Sequence, residues 1–189
     1  MRSGATGWLP PIVVALAGAS CVAGCASLPP ESLPSDVFSI VGRVAVRYGD
    51  EAASGRVAWR HGAATDDLLI SSPLGQGIAQ ITRRDGVYTL VTARDERFTA
   101  TDPERLTEQA LGWALPLAGL PDWVQGRAQP GASAEPRYRD GRLAELRQLG
   151  WTIEYSGYDE QGRLPTRMRL RRGDLDIRLA IDEWQRRPQ

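Results

Sequence analysis

Apolar and polar residues alternate along the chain from residue 38 onward, and this alternation predicts β-strands that each bury one face. The first run puts Ile40 and Val44 on one side and Arg43 on the other. Asp85-Gly86 is typical of a tight hairpin turn, so the first half of the chain is predicted to be an antiparallel meander. Its later strands are predicted at residues 55–60, 67–71, 77–83 and 87–92 and near Phe98.

The pattern changes to helical spacing near residue 101. Asp102-Pro103-Glu104 is typical of a helix start, with Thr101 or Asp102 as the N-cap. Gly112 is typical of a helix end. A second short helix is predicted at residues 120–124, and a loop at residues 129–136.

Alternation then resumes and predicts more antiparallel strands. Asp140-Gly141 indicates a hairpin, and Gly173-Asp174 indicates a further turn. The strands are predicted at residues 143–148, through Trp151, Ile153 and Tyr155, through Met168 and Leu170, and at residues 177–181. About eleven short strands in one sheet must curl to bury their apolar faces. We therefore predict a mainly β fold, an open antiparallel barrel covered by two or three helices.

The first residues have the pattern of a signal peptide. The apolar run Ile12–Ala23 is too short to span a bilayer and ends in Val22-Ala23-Gly24-Cys25. This ending resembles the lipobox of bacterial lipoproteins, in which the cysteine receives diacylglycerol. Cys21 is a rival site, but no aliphatic residue stands at the matching position before it.

These features predict three parts: a signal peptide at 1–24, lipidated Cys25 with a tether to residue 36, and a folded domain at 37–189. The tether contains Pro29, Pro30 and Pro34, so it should stay extended and reach up to about 30 Å. Ala26 follows the cysteine, and by resemblance this favours sorting to the outer membrane, with the domain facing the periplasm.

Charge and candidate chemistry exclude several classes of function. The 23 basic and 23 acidic residues cancel, which predicts no strong attraction to nucleic acid or to anionic lipid. All basic residues are arginines spread along the chain. The single histidine, His61, lies in a predicted turn, where we expect it to be solvated. No His/Cys cluster or phosphate-binding loop is present, so an enzyme is not expected, although paired carboxylates stay open.

Aromatic residues carry more information. Five tryptophans follow the signal segment, namely Trp59, Trp113, Trp123, Trp151 and Trp184. They could fill a core or line a cavity for an apolar ligand, and the sequence alone does not separate these alternatives.

The turn at residues 71–77 contains Leu74 at its middle. A leucine in such a turn could fold back onto the domain, or it could form an exposed apolar tip that enters a membrane.

Taken in order, several segments resemble the LolB family of lipoprotein receptors. They include Gly42 to Val46, Gly55 to Trp59, Ser72 to Gly75, Leu115-Pro116, Trp123 to Gly126, Gly150 to Ile153, Tyr155 with Tyr158, Leu164-Pro165 and Ile181 to Trp184. The resemblance implies an open β-barrel with a hydrophobic cavity under helices. It also implies a receptor that takes acylated lipoproteins from a LolA-like periplasmic carrier and inserts them into the outer membrane without nucleotide.

The resemblance further implies roles for individual residues. Leu74, between Pro73 and Gly75, would be the exposed leucine needed for membrane delivery, and Arg43 matches the family without an assigned role. We expect a monomer with no cofactor or metal other than N-acyl diacylglycerol on Cys25. The residues expected among the walls of the acyl-chain cavity are Trp59, Trp123, Trp151, Trp184 and Tyr155.

Two other functions stay open at this point. The first is a lipid-anchored binder of a small hydrophobic ligand, and the second is a lipoprotein enzyme that acts on the cell wall.

Overall fold

The computed structural model describes residues 37–186 of the chain. The predicted signal peptide, Cys25 and the tether to residue 36 lie outside the described residues. The described part contains a single antiparallel sheet of eleven strands and two helices, which confirms the predicted fold class. Among these residues no helix has the length and apolar character needed to cross a membrane.

The strands follow the chain as a long meander that is interrupted once by the helices. Before the helices come β1 (Phe38–Tyr48), β2 (Glu51–His61), β3 (Thr65–Ser71), β4 (Gly77–Arg84), β5 (Val87–Thr92) and β6 (Arg97–Ala100). The helices are α1 (Pro103–Leu111) and α2 (Leu120–Trp123). After them come β7 (Ala134–Arg139), β8 (Arg142–Gln148), β9 (Trp151–Tyr158), β10 (Pro165–Arg172) and β11 (Leu175–Arg186).

The sheet order is β6-β5-β4-β3-β2-β1-β11-β10-β9-β8-β7, so the first and last strands pair at its centre. The β1–β11 register shifts between Val41 and Gly42. At Gly42 a Cβ atom would lie 2.3 Å from the carbonyl oxygen of Ala180, so only glycine permits this approach. A bulge of this kind bends and twists the strands, which helps the sheet to curl.

The α1 helix begins and ends where the sequence predicts. Asp102 is its N-cap and accepts hydrogen bonds from the backbone N–H groups of Glu104 at 3.0 Å and Arg105 at 3.3 Å. Gly112 ends the helix with φ 83°, a left-handed conformation that glycine adopts without strain. Glu104 also pairs with Arg172 of β10 at 2.8 Å.

The predicted loop at residues 129–136 is too long, because β7 already begins at Ala134. Pro136 lies inside β7, opposite Leu146. A proline cannot donate to a strand ladder, but β7 is an edge strand, where a missing donor is tolerated. Reading Pro136 as a loop residue was therefore wrong.

Candidate functional site

A cavity of about 240 Å³ lies between the curled sheet and the helical segment. Six strands contribute its sheet-side wall, and the side chains are almost all apolar. The sheet side includes Ile40, Val44, Val46, Val57, Trp59, Leu68, Ile70, Ile78, Ala79, Leu170, Ile177 and Leu179.

The opposite wall is a lid built from the segment that interrupts the sheet, residues 103–124. It places Leu111, Trp113, Leu115, Leu120 and Val124 against the cavity. The α1 helix packs on β5 and β6. Ala53, Ser54 and Ile78 are exposed and also line the cavity, so they mark where it opens to solvent.

Thr107 connects α1 to the segment that follows it in the lid through hydrogen bonds of its side chain. Its buried hydroxyl donates to a carbonyl oxygen of the preceding turn, Pro103 O at 3.0 Å or Glu104 O at 3.1 Å. The same oxygen accepts a hydrogen bond from the backbone N–H of Leu115 at 2.8 Å. Because Leu115 lines the cavity, this contact fixes one edge of the lid wall.

Trp59 is held in the cavity wall by a buried polar cluster. Its Nε1 donates to Oδ1 of Asp66 at 2.9 Å, and Nδ1 of His61 lies 2.6 Å from the same oxygen. Nε of Arg83 donates to Oδ2 of Asp66. Phe38 packs edge-on against Trp59, with ring centroids 5.1 Å apart.

This cluster sets the ionisation of Asp66 and corrects one expectation. Burial alone would raise the pKa of the Asp66 carboxyl, but hydrogen bonds from His61, Arg83 and Trp59 outweigh it and hold the pKa below its usual range. His61 is buried at the end of β2 instead of being solvated in a turn. The expectation was wrong because the β2–β3 hairpin places His61 opposite Asp66.

The turn between β3 and β4 carries an exposed leucine. The backbone N–H of Gly75 donates to the carbonyl oxygen of Ser72 at 2.9 Å, which puts Pro73 and Leu74 at the tip. Gly75 has φ 88°, a conformation in which a side chain would be strained. Leu74 is 91% exposed and lies on the loop between Ile70 and Ile78, two cavity residues.

Comparison with known proteins assigns the family. The sequence model of the family described as "Outer membrane lipoprotein LolB" matches residues 36–184. The chain belongs to the LolB family. An outer-membrane lipoprotein LolB of Thiobacillus denitrificans (strain ATCC 25259 / T1) is 40% identical over 94% of this chain and 97% of its own. The LolB of Pseudomonas paraeruginosa (strain DSM 24068 / PA7) is 41% identical over 80% of this chain and 76% of its own.

Solved structures support the fold. A LolA superfamily protein from Nitrosomonas europaea superposes with a TM-score of 0.51 at 14% identity, over 82% of this chain and 88% of its own. A DUF1329 family protein from Desulfovibrio piger ATCC 29098 gives a TM-score of 0.55 at 8% identity, over 80% of this chain and 85% of its own. The resemblance to LolB is therefore confirmed, and the protein is an outer-membrane lipoprotein, anchored by lipid.

Of the five aromatic residues expected in the LolB cavity, the structure brings only Trp59 to its wall. Trp123 and Trp151 are buried together, with ring centroids 6.3 Å apart. Tyr155 donates its hydroxyl to the carbonyl oxygen of Trp123 at 3.0 Å, and burial raises the pKa of this hydroxyl. Trp184 donates Nε1 to the carbonyl oxygen of Pro165 at 2.9 Å.

These four residues do not line the cavity, contrary to the expectation. Three of them, Trp123, Trp151 and Tyr155, fill the space between α2 and the β8–β10 part of the sheet. There Trp123 donates Nε1 to Gln148, and Tyr155 donates its hydroxyl to Trp123. Trp184 packs at the far end of β11, with its ring 5.5 Å from that of Phe38. Alternation identifies their buried face, but it does not say which part of a curled interior is filled.

The sequence-based list omitted Trp113, which the structure places on the lid wall of the cavity. Trp113 directly follows Gly112, the helix C-cap, so no periodic pattern assigns it a face. A large apolar residue within a segment predicted to cover the barrel was the available signal.

Among residues 37–186, no group of three or more His, Cys, Asp or Glu could hold a metal ion.

Proposed function

We propose that this LolB-family protein receives the acyl chains of lipoproteins from a LolA-like carrier in the cavity beneath the lid. It then inserts the cargo into the outer membrane through the Leu74 loop. The observation that carries the proposal is the apolar cavity with an exposed leucine loop extending from its walls. The anchor is diacylglycerol and an N-acyl chain on Cys25, and one chain acts as a monomer.

The energetics favour such an enclosure. Each CH₂ group exposed to water costs about 0.8 kcal/mol, so one chain of about 16 carbons costs more than about 10 kcal/mol. Delivery without nucleotide must run downhill, so the carrier must bind the chains more weakly than the receptor, and the receptor more weakly than the bilayer. A loosely fitting apolar cavity gives the moderate binding that release requires.

The cavity must widen when cargo enters. Its volume of about 240 Å³ lies below the range of about 300–1,000 Å³ that encloses drug-sized ligands. Three acyl chains are much larger than that, so the lid has to move away from the sheet. The α1 part of the lid is suited to this movement because it packs at the edge of the sheet, on β5 and β6, and pairs with β10 through Glu104–Arg172. The α2 part is fixed, since Trp123 is hydrogen-bonded to Gln148 and Tyr155.

The protein carries its cargo without transforming it. The buried polar cluster has a structural role here, since Oδ1 of Asp66 accepts a hydrogen bond from Trp59 and contacts His61, and Oδ2 accepts one from Arg83.

A transfer assay separates the two steps of the proposal. The full-length protein is placed in vesicles and mixed with a carrier that is loaded with acylated lipoprotein. Leu74→Glu should accept cargo from the carrier but fail to insert it, whereas Leu69→Glu, an exposed leucine on the outer face of β3, should do both. Ala79→Phe should block acceptance by filling the cavity, whereas Ala58→Phe, on the exposed face of β2, should not.

Normal acceptance by Ala79→Phe would refute the role of the cavity. Normal insertion by Leu74→Glu would refute the role of the loop.

A further inference from the structure

The sheet gathers arginines that are spread along the sequence onto its outer face, away from the cavity. We call these residues the arginine face; they are Arg43, Arg47, Arg56, Arg167, Arg169, Arg171 and Arg178. They alternate with cavity residues, as Arg56 does with Val57 and Arg178 with Leu179. All but Arg169 are exposed.

The pairing of neighbouring strands places the arginines side by side in rows across the sheet. Arg43 of β1 lies opposite Arg56 of β2 and opposite Ala180 of β11. Ala180 in turn lies opposite Arg167 of β10. A second row contains Arg178, and the two rows lie side by side across the central strands.

This face carries a net positive charge although the chain as a whole has a formal net charge of zero. The carboxylates beside its arginines are Asp182, bound by Arg43 at 2.7 Å, Asp176, bound by Arg169, Glu154 of the neighbouring β9, and the exposed Glu183 of β11. The seven arginines outnumber these four carboxylates.

Four arginines of the face have side chains available to a partner. Within the described part of the chain, Arg47, Arg56 and Arg167 are exposed and make no ion pair, and Arg178 is 64% exposed at 3.7 Å from Asp176. The zero net charge of the whole chain therefore does not describe this face, whose local excess of positive charge was not predicted from the sequence.

The arginine face begins at the base of the Leu74 loop. Arg56 pairs with Ser71, the last residue of β3, and Leu74 is three residues further on. Three residues span at most about 10 Å, which is close to the Debye length of about 8 Å at physiological salt. Salt therefore screens the charge of Arg56 only in part at this distance, and Arg56 can still attract charges on a surface that Leu74 touches.

We propose that the arginine face binds the anionic phosphate headgroups of the bilayer beside the Leu74 loop. The proposal rests on the membrane contact of Leu74 proposed above. A lipid surface fits better than an acidic protein because the arginines form an extended array beside the apolar loop. The planar guanidinium group also matches phosphate through two parallel hydrogen bonds.

The test uses full-length protein anchored in vesicles of phosphatidylcholine, with or without about 30% phosphatidylglycerol. An environment-sensitive fluorescent amino acid replaces Ala45, which is exposed beside Arg178 on the arginine face, or Gln76 in the Leu74 loop. Energy transfer from position 45 to acceptor dyes on the headgroups reports the approach of the face. A blue shift at position 76 reports entry of the loop.

Phosphatidylglycerol should increase the ratio of molecules whose arginine face lies against the membrane to molecules whose face is free. This ratio is obtained from the energy transfer at position 45. The rise should amount to about fivefold for each arginine and should disappear near 1 M salt, where the Debye length is about 3 Å. The combined variant Arg56→Gln, Arg167→Gln, Arg178→Gln should lose it. The matched control carries Arg60→Gln, Arg139→Gln and Arg163→Gln, with the same charge change at the other ends of the strands, and should keep it.

An equal rise in both combined variants, or no rise in the wild type, would overturn the proposal. So would a face variant that keeps the rise but no longer accepts cargo, since the face would then meet an acidic carrier. Absence of a blue shift at position 76 in every vesicle refutes the loop's role instead, and position 45 still decides the arginine face.

Discussion

The indole Nε1 of Trp59 lies 2.9 Å from Oδ1 of Asp66, so a buried carboxylate holds a residue of the cavity wall in place. Phe38 and His61 pack against the same indole ring, at centroid distances of 5.1 and 5.7 Å. The shape of the cavity near Trp59 therefore depends on a polar cluster that does not itself line the cavity.

Replacing Asp66→Asn should destabilise the fold and loosen Trp59. Removing one partner of a buried charge cluster leaves Arg83 uncompensated and costs about 3 kcal/mol, measured by urea unfolding at neutral pH. The control is Asp67→Asn, whose half-exposed pair with Arg84 at 3.0 Å should contribute no more than about 1 kcal/mol. Equal effects of the two substitutions would contradict the role of Asp66.

The same carboxylate should make stability depend on pH. Its pKa is lower in the folded chain than in the unfolded chain, so its contribution is complete above about pH 4. That contribution is lost as the pH falls through the folded-state pKa. The difference in unfolding free energy between wild type and Asp66→Asn should therefore shrink on acidification below about pH 4. A difference that stays constant down to pH values near 2 would contradict this linkage.

Thr107→Val should loosen the lid while keeping its shape. The valine has no oxygen to accept the hydrogen bond from the Leu115 N–H, so a buried donor is left unsatisfied at a cost of about 1–3 kcal/mol. Hydrogen exchange at the Leu115 amide should become faster. Thr107→Ser keeps the hydroxyl and should retain most of the protection, and equal protection in the valine variant would show that the contact does not fix the lid.

Gln148→Met should destabilise the protein without affecting its cavity. The Gln148 amide accepts hydrogen bonds from Trp123 Nε1 and the Gln129 N–H, and it donates to Gln129 and Ala132 carbonyl oxygens. Several buried groups would lose partners, so we expect a loss of about 3 kcal/mol in unfolding free energy. Gln80→Met, at an exposed position, is the control. Impaired cargo acceptance by folded Gln148→Met would contradict the separation of this core from the cavity.

Local pattern was sufficient to predict most of the fold. Alternation identified the strands, and Asp102 with Gly112 identified the ends of α1, because these signals lie within a few neighbouring residues. The exposed tip at Leu74 was one of two readings, and choosing between them required the position of the turn relative to the sheet.

Features that depend on strand register could not be predicted. His61 and Asp66 face each other across a hairpin. Arg43 and Arg167 are far apart in sequence, but they lie on either side of the same β11 residue, Ala180. Whether Trp113 or Trp151 lines the cavity depends on how the lid packs against the curled sheet. Packing decides these relationships, and the packing partners are distant in sequence.

The most direct measurement of the central claim is photolabelling by the cargo itself. A triacylated lipopeptide with a photoreactive group near the end of one acyl chain is delivered to the full-length protein, and the labelled residues are identified by mass spectrometry. Labelling should concentrate on cavity residues such as Trp59, Ile78, Leu111 and Trp113. Labelling confined to the outer face of the sheet, or to the core around Trp151, would contradict the cavity as the acyl-chain site.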